Sequence, residues 1–281
     1  MRDIKRRKES VASTGQITKA MKLVSTVKLQ KAKARAESNK PYFTMLYDTI
    51  RSILGRTGKI DHRYLKENDS SKKAVIAITS NRGLAGGYNN NIVKEIVAAF
   101  TPEETDIYAV GKKGMDGLLR KGFNIVEDYS EVMNDPLYAD AIYIGKNVLA
   151  SYENGEVGEI YLAYTSFKNT VVHEPKLVKL LPVNPDEFES KEEENNTLMN
   201  YEPAEEEALD IIIPKYINSL LYGAFMEAVA SENGARMTAM DNATSNADEM
   251  ISELSLLYNR ARQGSITQEL TEIIAGANAI T

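Results

Sequence analysis

The sequence predicts an α/β chain: a long antiparallel coiled coil of the N- and C-terminal helices, joined to a Rossmann-like three-layer α/β domain. Three observations carry this. The last third is one long stretch of helical periodicity without proline. The first fifty-odd residues carry a second such stretch. Between them, short β-branched runs alternate with helical segments.

Residues 215–281 contain no proline, and glycine only at Gly223, Gly234, Gly264 and Gly276. Ile217, Leu220, Leu221, Ala224, Phe225, Ala228 and Val229 follow the i, i+3, i+4, i+7 spacing of one helical face. Met240, Ala243, Ala247, Met250, Leu254, Leu257 and Ala261 then step by threes and fours, which predicts a heptad seam. As one helix this stretch would be about 100 Å long at roughly 1.5 Å per residue, wider than a compact domain of this length. It is therefore expected to project and to need a partner. Residues 1–54 read as that partner. Ile17, Ala20, Val24 and Val27 form its predicted seam of small residues, and Pro41 is expected to kink or briefly break it. Helices at opposite ends of the chain, one entering and one leaving the middle, pair antiparallel.

The expected organisation is a coiled-coil helix over 1–54, a mobile connecting loop over 55–73, an α/β domain over 74–208, and the second coiled-coil helix over 209–281. In the middle, strands are expected at 74–79, 107–110, 123–126, 160–164 and 171–181, with helices at 90–100, 115–121 and 137–151. Every proline except Pro41 lies between Pro102 and Pro214, as rods at both ends of a globular middle require. Residues 184–207 read as an acidic exposed loop.

Composition narrows the chemistry. The chain has no cysteine, which removes disulfides, thiolate nucleophiles and cysteine metal sites. Its two histidines, His62 and His173, are far apart in sequence, which argues against a histidine metal site or a Ser-His-Asp triad. No apolar run reaches the roughly 18 residues of a membrane span, and Met1-Arg2-Asp3-Ile4-Lys5 has no apolar signal core. The net charge of −6 hides an asymmetry. Residues 1–40 hold twelve Lys/Arg against three acidic residues, a net of +9, and residues 186–210 hold eleven Asp/Glu against Lys191, a net of −10. Such a split indicates separate contact surfaces or solvated faces.

Two motifs invite a ligand. Ser80-Asn81-Arg82-Gly83-Leu84-Ala85-Gly86-Gly87-Tyr88-Asn89 follows the first strand, where phosphate loops sit in α/β domains. It matches neither dinucleotide nor P-loop spacing, and it has no lysine for a phosphate or Ser/Thr placed for magnesium. A tight turn with Arg82 as a surface contact is the better reading, and Gly111-Lys112-Lys113-Gly114 is discounted likewise. The basic first helix could face nucleic acid, a membrane surface or a protein groove. Its small apolar seam and the lack of any aromatic before Tyr42 favour a helical protein partner over nucleic acid. Beyond Glu272 no side chain is charged, and Ile266, Leu270, Ile273, Ala277 and Ile280 form an apolar tip that suits a socket in a larger assembly.

Three stretches go further: Gln16-Ile17-Thr18-Lys19-Ala20-Met21-Lys22-Leu23-Val24; Arg82-Gly83-Leu84 with Gly86-Gly87 and Asn89; and Ala235-Arg236-Met237 through Asn259-Arg260-Ala261-Arg262-Gln263 and Ser265-Ile266-Thr267-Gln268-Glu269-Leu270-Thr271-Glu272-Ile273. On these the chain resembles the gamma-subunit family of bacterial rotary F-type ATP synthases over essentially its whole length. Asn81 and Ala85 stand where that family often has Asp and Cys, and the regulatory dithiol insert of the chloroplast branch is absent.

The resemblance implies a central rotor shaft that couples ion flow to ATP synthesis or hydrolysis and regulates both. It implies no catalytic residue, no cofactor and no metal. The implied partners are the alpha and beta subunits of the alpha3-beta3 ring, the epsilon subunit and the membrane c-ring, with the chain peripheral on the cytoplasmic face of the cell membrane. By the family pattern, Arg262, Gln263 and Thr267 would meet a catch loop of one beta subunit, and Met21 and Lys22 the lever segment of another. Tyr201 and Glu202 would grip the membrane ring, and Ile273, Ile274, Ala277 and Ile280 would form the tip in its apolar socket. Two rival classes are an α/β enzyme with a dimerising coil, which would bind nucleotide at the Gly-rich loop, and a plain coiled-coil adaptor.

Overall fold

The computed structural model describes residues 1–54, 62–66, 68, 70–170, 172–184 and 205–278, the side chains of Glu205, Glu206 and Ala277 excepted. Two helices carry much of this. α1 runs Arg2–Leu54 and α5 runs Glu205–Asn278. The chain divides into two compact units, one formed by Met1–Ser25 with Arg236–Thr281 and the other by Thr26–Ala235.

The larger unit is built on a five-stranded sheet of β1 (Lys73–Ile78), β2 (Thr105–Val110), β3 (Asn124–Asp128), β4 (Glu159–Phe167) and β5 (His173–Leu181). Their order is β3-β2-β1-β4-β5. β1 pairs parallel with β2 and β4, and β2 parallel with β3, whereas β5 returns antiparallel on β4. α2 (Tyr88–Ala99), α3 (Lys112–Leu119) and α4 (Tyr138–Glu153) make the crossovers. The predicted mostly parallel three-layer domain is thus observed.

Strand periodicity explains the layers. Val75 and Ala77 point to one face of β1, where they pack with Ile107, Ile92, Ile96 and Leu118. Ala74, Ile76 and Ile78 point to the other, where they join Ile144 and Val148 of α4, Ile50 and Ile53 of α1, and Leu209, Ile213, Ile217 and Phe225 of α5. The end of α1 and the start of α5 are therefore part of the second layer. Both faces of β1 are covered, which is why its sequence reads as a continuous apolar run.

One expectation is corrected. Pro41 does not break α1, which continues through it. Both Pro41 and Glu37, whose carbonyl lacks its usual donor, are exposed, so water can satisfy that group. In the connecting segment, the described residues between 62 and 70 are held by hydrogen bonds. Val183 N donates to the Tyr64 carbonyl at 2.8 Å, and Tyr152 Oη donates to the Lys66 carbonyl at 2.7 Å. Asn68 Nδ2 donates to the Val157 carbonyl at 2.7 Å. His62 Nε2 and Arg63 Nε share Asp210 Oδ1 at 3.0 and 2.9 Å, which ties the strap to the start of α5. Tyr64 itself is buried, and its hydroxyl bonds the Glu153 carboxylate.

At the far end of the β4–β5 hairpin, Phe167 and Val229 pack with Leu29, Ala32 and Ala230. His173 stacks on Phe167 with ring centroids 5.9 Å apart. A Cβ on Gly234 would lie 2.8 Å from its Cε1, so α5 needs glycine there. Neither imidazole nitrogen has a hydrogen-bond partner among the described residues. Burial holds the ring's pKa below its ordinary 6.5, and the Thr170 backbone offsets this only in part. The folded chain therefore binds this proton less readily than the unfolded chain. The group's contribution to stability is complete above the ordinary value and is lost as pH falls below it. The apparent melting temperature of the chain should drop between pH 7 and pH 5, and drop less steeply in His173→Leu; equal slopes in calorimetry would show that the buried imidazole is not responsible.

Gly111 has φ +119°, and a Cβ there would sit 2.2 Å from the Thr79 carbonyl oxygen. Gly111→Ala should cost at least about 2 kcal/mol, read as a lowered denaturation midpoint.

Candidate functional site: the paired helices and the closed loop

In the smaller unit α1 and α5 run antiparallel in close contact. Thr18 Oγ1 lies 2.7 Å from Thr244 Oγ1. Lys22 Nζ lies 2.5 Å from Asp241 Oδ1. A Cβ on Gly15 would stand 3.3 Å from the Ala247 Cβ, so the helices are as close there as small side chains allow. Small side chains at the contact let the two backbones approach, as expected of the seam.

The seam on α1 is not the predicted one, and on α5 it keeps Met240 and Ala247 of the predicted residues but not Met250 and Leu257. On α1, Gly15, Thr18 and Ser25 are buried, while Ile17, Val24 and Val27 are 58%, 58% and 53% exposed. On α5, Met240 and Ala247 are buried and Thr244, Ile251 and Tyr258 half-buried, while Met250 and Leu257 are 51% and 50% exposed. α1 carries two adjacent stripes, and the more apolar one faces out, so apolarity selected the wrong stripe there. The signal for the right one is the four-three spacing of Val11, Gly15, Thr18, Lys22, Ser25, Leu29 and Ala32. Gly15, Thr18, Asp241 and Thr244 were missed as functional positions for that reason.

The assigned contact residues lie as follows. Arg262, Gln263 and Thr267 are exposed on consecutive turns of α5, with Thr267 Oγ1 donating to the Gln263 carbonyl at 2.9 Å. Met21 and Lys22 are half-buried on α1, and Lys22 is held by Asp241. Ile273 and Ile274 are exposed, at 67% and 60%. Ala277 lies in α5 with its side chain outside the described residues, as do Ile280, Tyr201 and Glu202 altogether. The structure brings Arg262, Gln263 and Thr267 together on one helix.

The Gly-rich loop after β1 is closed by the protein itself. The first backbone N–H groups of α3 are taken: Lys112 N donates to Asn81 Oδ1 at 3.0 Å, Lys113 N to the Ser80 carbonyl at 3.0 Å, and Gly114 N to Thr79 Oγ1 at 2.9 Å. Asn81 Nδ2 donates onward to the Ser130 carbonyl at 2.7 Å. These are the donors a phosphate would need at this helix end. Leu84 stands at the loop tip with φ +62° and 63% exposure, a backbone state that costs a branched residue energy. Among the described residues no group of three or more His, Asp or Glu side chains is placed to hold a metal.

The comparisons agree with this geometry. The family described as ATP synthase matches residues 1–280. An ATP synthase gamma chain of Lachnoclostridium phytofermentans is 67% identical over 100% of this chain and 99% of its own. The chain belongs to the ATP synthase gamma-chain family. A second relative, the ATP synthase gamma chain of Alkaliphilus metalliredigens, is 46% identical over 100% of this chain and 98% of its own. Among solved structures, a chain of the Euglena gracilis mitochondrial ATP synthase, determined by cryo-EM with OSCP, F1 and the c-ring, matches with a TM-score of 0.70 at 19% identity. It covers 99% of this chain and 94% of its own, and shows the same fold. As a gamma chain, this protein is a non-catalytic subunit of the synthase. Among the described residues no helix is long and apolar enough to cross a membrane.

Proposed function

We propose that the chain is the rotor shaft of its synthase, standing as an antiparallel coil inside an alpha3-beta3 ring. The observation that carries this is the outward apolar stripe on each helix: Ile17, Val24 and Val27 on α1, and Met250, Leu257, Ile273 and Ile274 on α5. Apolar residues at this exposure along paired helices need a sheath. Segments 1–54 and 209–281 supply the shaft, 74–208 the foot and 55–73 the join. The foot seats on the membrane c-ring beside the epsilon subunit, peripheral on the cytoplasmic face of the membrane, with Tyr201 and Glu202 in the grip. Ion flow through the ring supplies about 2.3 kcal/mol per charge across 100 mV.

Coupling follows from asymmetry. α1 and α5 present different outward side chains, so each beta subunit meets a different face and favours a different nucleotide state. A rotor shifts those states only through such differential contact. Arg262, Gln263 and Thr267 offer a guanidinium, an amide and a hydroxyl on an exposed helix face, suited to hydrogen-bonding a catch loop. Near the lever segment Met21 is the more available contact, because Asp241 already holds Lys22. The tip of Ile273, Ile274, Ala277 and Ile280 turns in an apolar socket, where contact is non-directional and sets no deep angular minimum.

Arg262→Ala should lower ATP-driven ion pumping in reconstituted membranes several-fold more than Lys112→Ala, whose site lies on the closed loop of the foot. Equal losses would remove the catch-loop assignment.

A further inference from the structure

The inward stripes of the coil present a conflict. On α1, Ile17 and Val24 sit one residue before Thr18 and Ser25; on α5, Ala243, Met250 and Leu257 sit one residue before Thr244, Ile251 and Tyr258. One residue is a roll of about 100° about the helix axis. Rolling both helices by that amount would exchange a seam of Gly15, Thr18 and Ser25 with Met240, Thr244, Ala247, Ile251 and Tyr258 for one of Ile17 and Val24 with Ala243, Met250 and Leu257. On α1 apolar burial favours the rolled arrangement, and on α5 it does not separate the two, yet the structure holds the first.

Polar pairing opposes the roll. Thr18 is 8% exposed and Thr244 half-buried, with their hydroxyls 2.7 Å apart across the seam. Each hydroxyl also reaches a carbonyl of its own helix, Thr18 that of Gly15 at 3.0 Å and Thr244 that of Met240 at 2.8 Å. A hydroxyl has one proton to donate, so the two protons cannot make all three bonds. One threonine donates across the seam while the other donates to its own helix, and the roles can be exchanged. The cross-seam bond exists in either arrangement and leaves no donor unused. One turn away Lys22 Nζ meets Asp241 Oδ1 at 2.5 Å, a partly exposed pair that reinforces the same phase.

We propose that Thr18 and Thr244 are positioning residues that fix the rotational phase of the two helices, turning the small polar stripes inward and the apolar stripes outward. A single polar contact in a coiled-coil seam selects one arrangement at a cost in stability, and here that cost leaves the larger apolar side chains for another surface. That this surface is the catalytic ring rests on the shaft reading; the phase itself does not.

The chain has no cysteine, so engineered pairs report phase without background. In the isolated full chain, Gly15→Cys with Ala247→Cys reports the native phase, its Cβ separation of 3.3 Å being close to disulfide range. Ile17→Cys with Ala243→Cys reports the rolled phase. Wild-type threonines should give oxidative crosslinking of the first pair and little of the second. T18A/T244A should shift the ratio of the two yields toward the rolled pair by about fivefold, the shift one net hydrogen bond supports, with helical circular dichroism not lowered. T18S/T244S, which differs from the alanine pair only by its hydroxyls, should restore the wild-type ratio, which a role in packing alone would not. An unchanged ratio in T18A/T244A, or serine behaving like alanine, would overturn the assignment. Should the double alanine chain lose helicity, T244A against T244S carries the same comparison, because Thr18 then keeps its bond to the Gly15 carbonyl.

Discussion

The close approach of α1 and α5 at Gly15, Thr18, Thr244 and Ala247 is the constraint on which the functional surface depends. A near-contact of 3.3 Å at Gly15 fits only small residues in the seam. Once those occupy the inside, Ile17, Val24, Met250 and Leu257 of the same helices face outward. An isolated coil so arranged exposes apolar surface that water does not favour. The same coil enclosed by partners has a continuous surface of weak, non-directional contact. The thin seam and the exposed stripes are thus two aspects of one choice.

The larger unit has the topology of many nucleotide-binding domains. β1 lies between β2 and β4, where the direction of strand order changes and where ligands enter such sheets. Here Asn81 bridges the start of α3 to the Ser130 carbonyl, and Thr79 and Ser80 take two further N–H groups of α3. The loop after β1 is thereby tied to the start of α3. On the opposite face, the end of α1 and the start of α5 are packed into the core through Ile50, Ile53, Leu209 and Phe225, and Asp210 is tied to the strap at His62 and Arg63. Both helix ends are therefore anchored in apolar contact rather than by surface charge pairs alone, which contribute little.

Much of this was legible in the residues. The strands β1 and β2 were legible because burial on both faces writes a continuous apolar signal. The long helices were legible from their three-four periodicity, although each runs through one proline, Pro41 in α1 and Pro214 in α5. The loop after β1 was read as a turn rather than a phosphate site from what it lacks. What was not legible was direction. Periodicity shows that Ile17 and Val24 share a face, but not whether that face meets the chain's own partner helix or another protein, since both demand apolar residues. The strap at 62–66 was also invisible, because Tyr64, Tyr152 and Asp210 are far apart in sequence and meet only through the fold. Arg262, Gln263 and Thr267 stand exposed on α5, as the proposed contact with another chain requires.

The most direct measurement mixes the purified chain with separately purified alpha and beta subunits of an F-type ATPase and follows size and ATP hydrolysis together. The account predicts one large complex whose hydrolysis depends on this chain, with none from the chain alone. A chain that stays apart from the ring, or that hydrolyses ATP without partners, would contradict it.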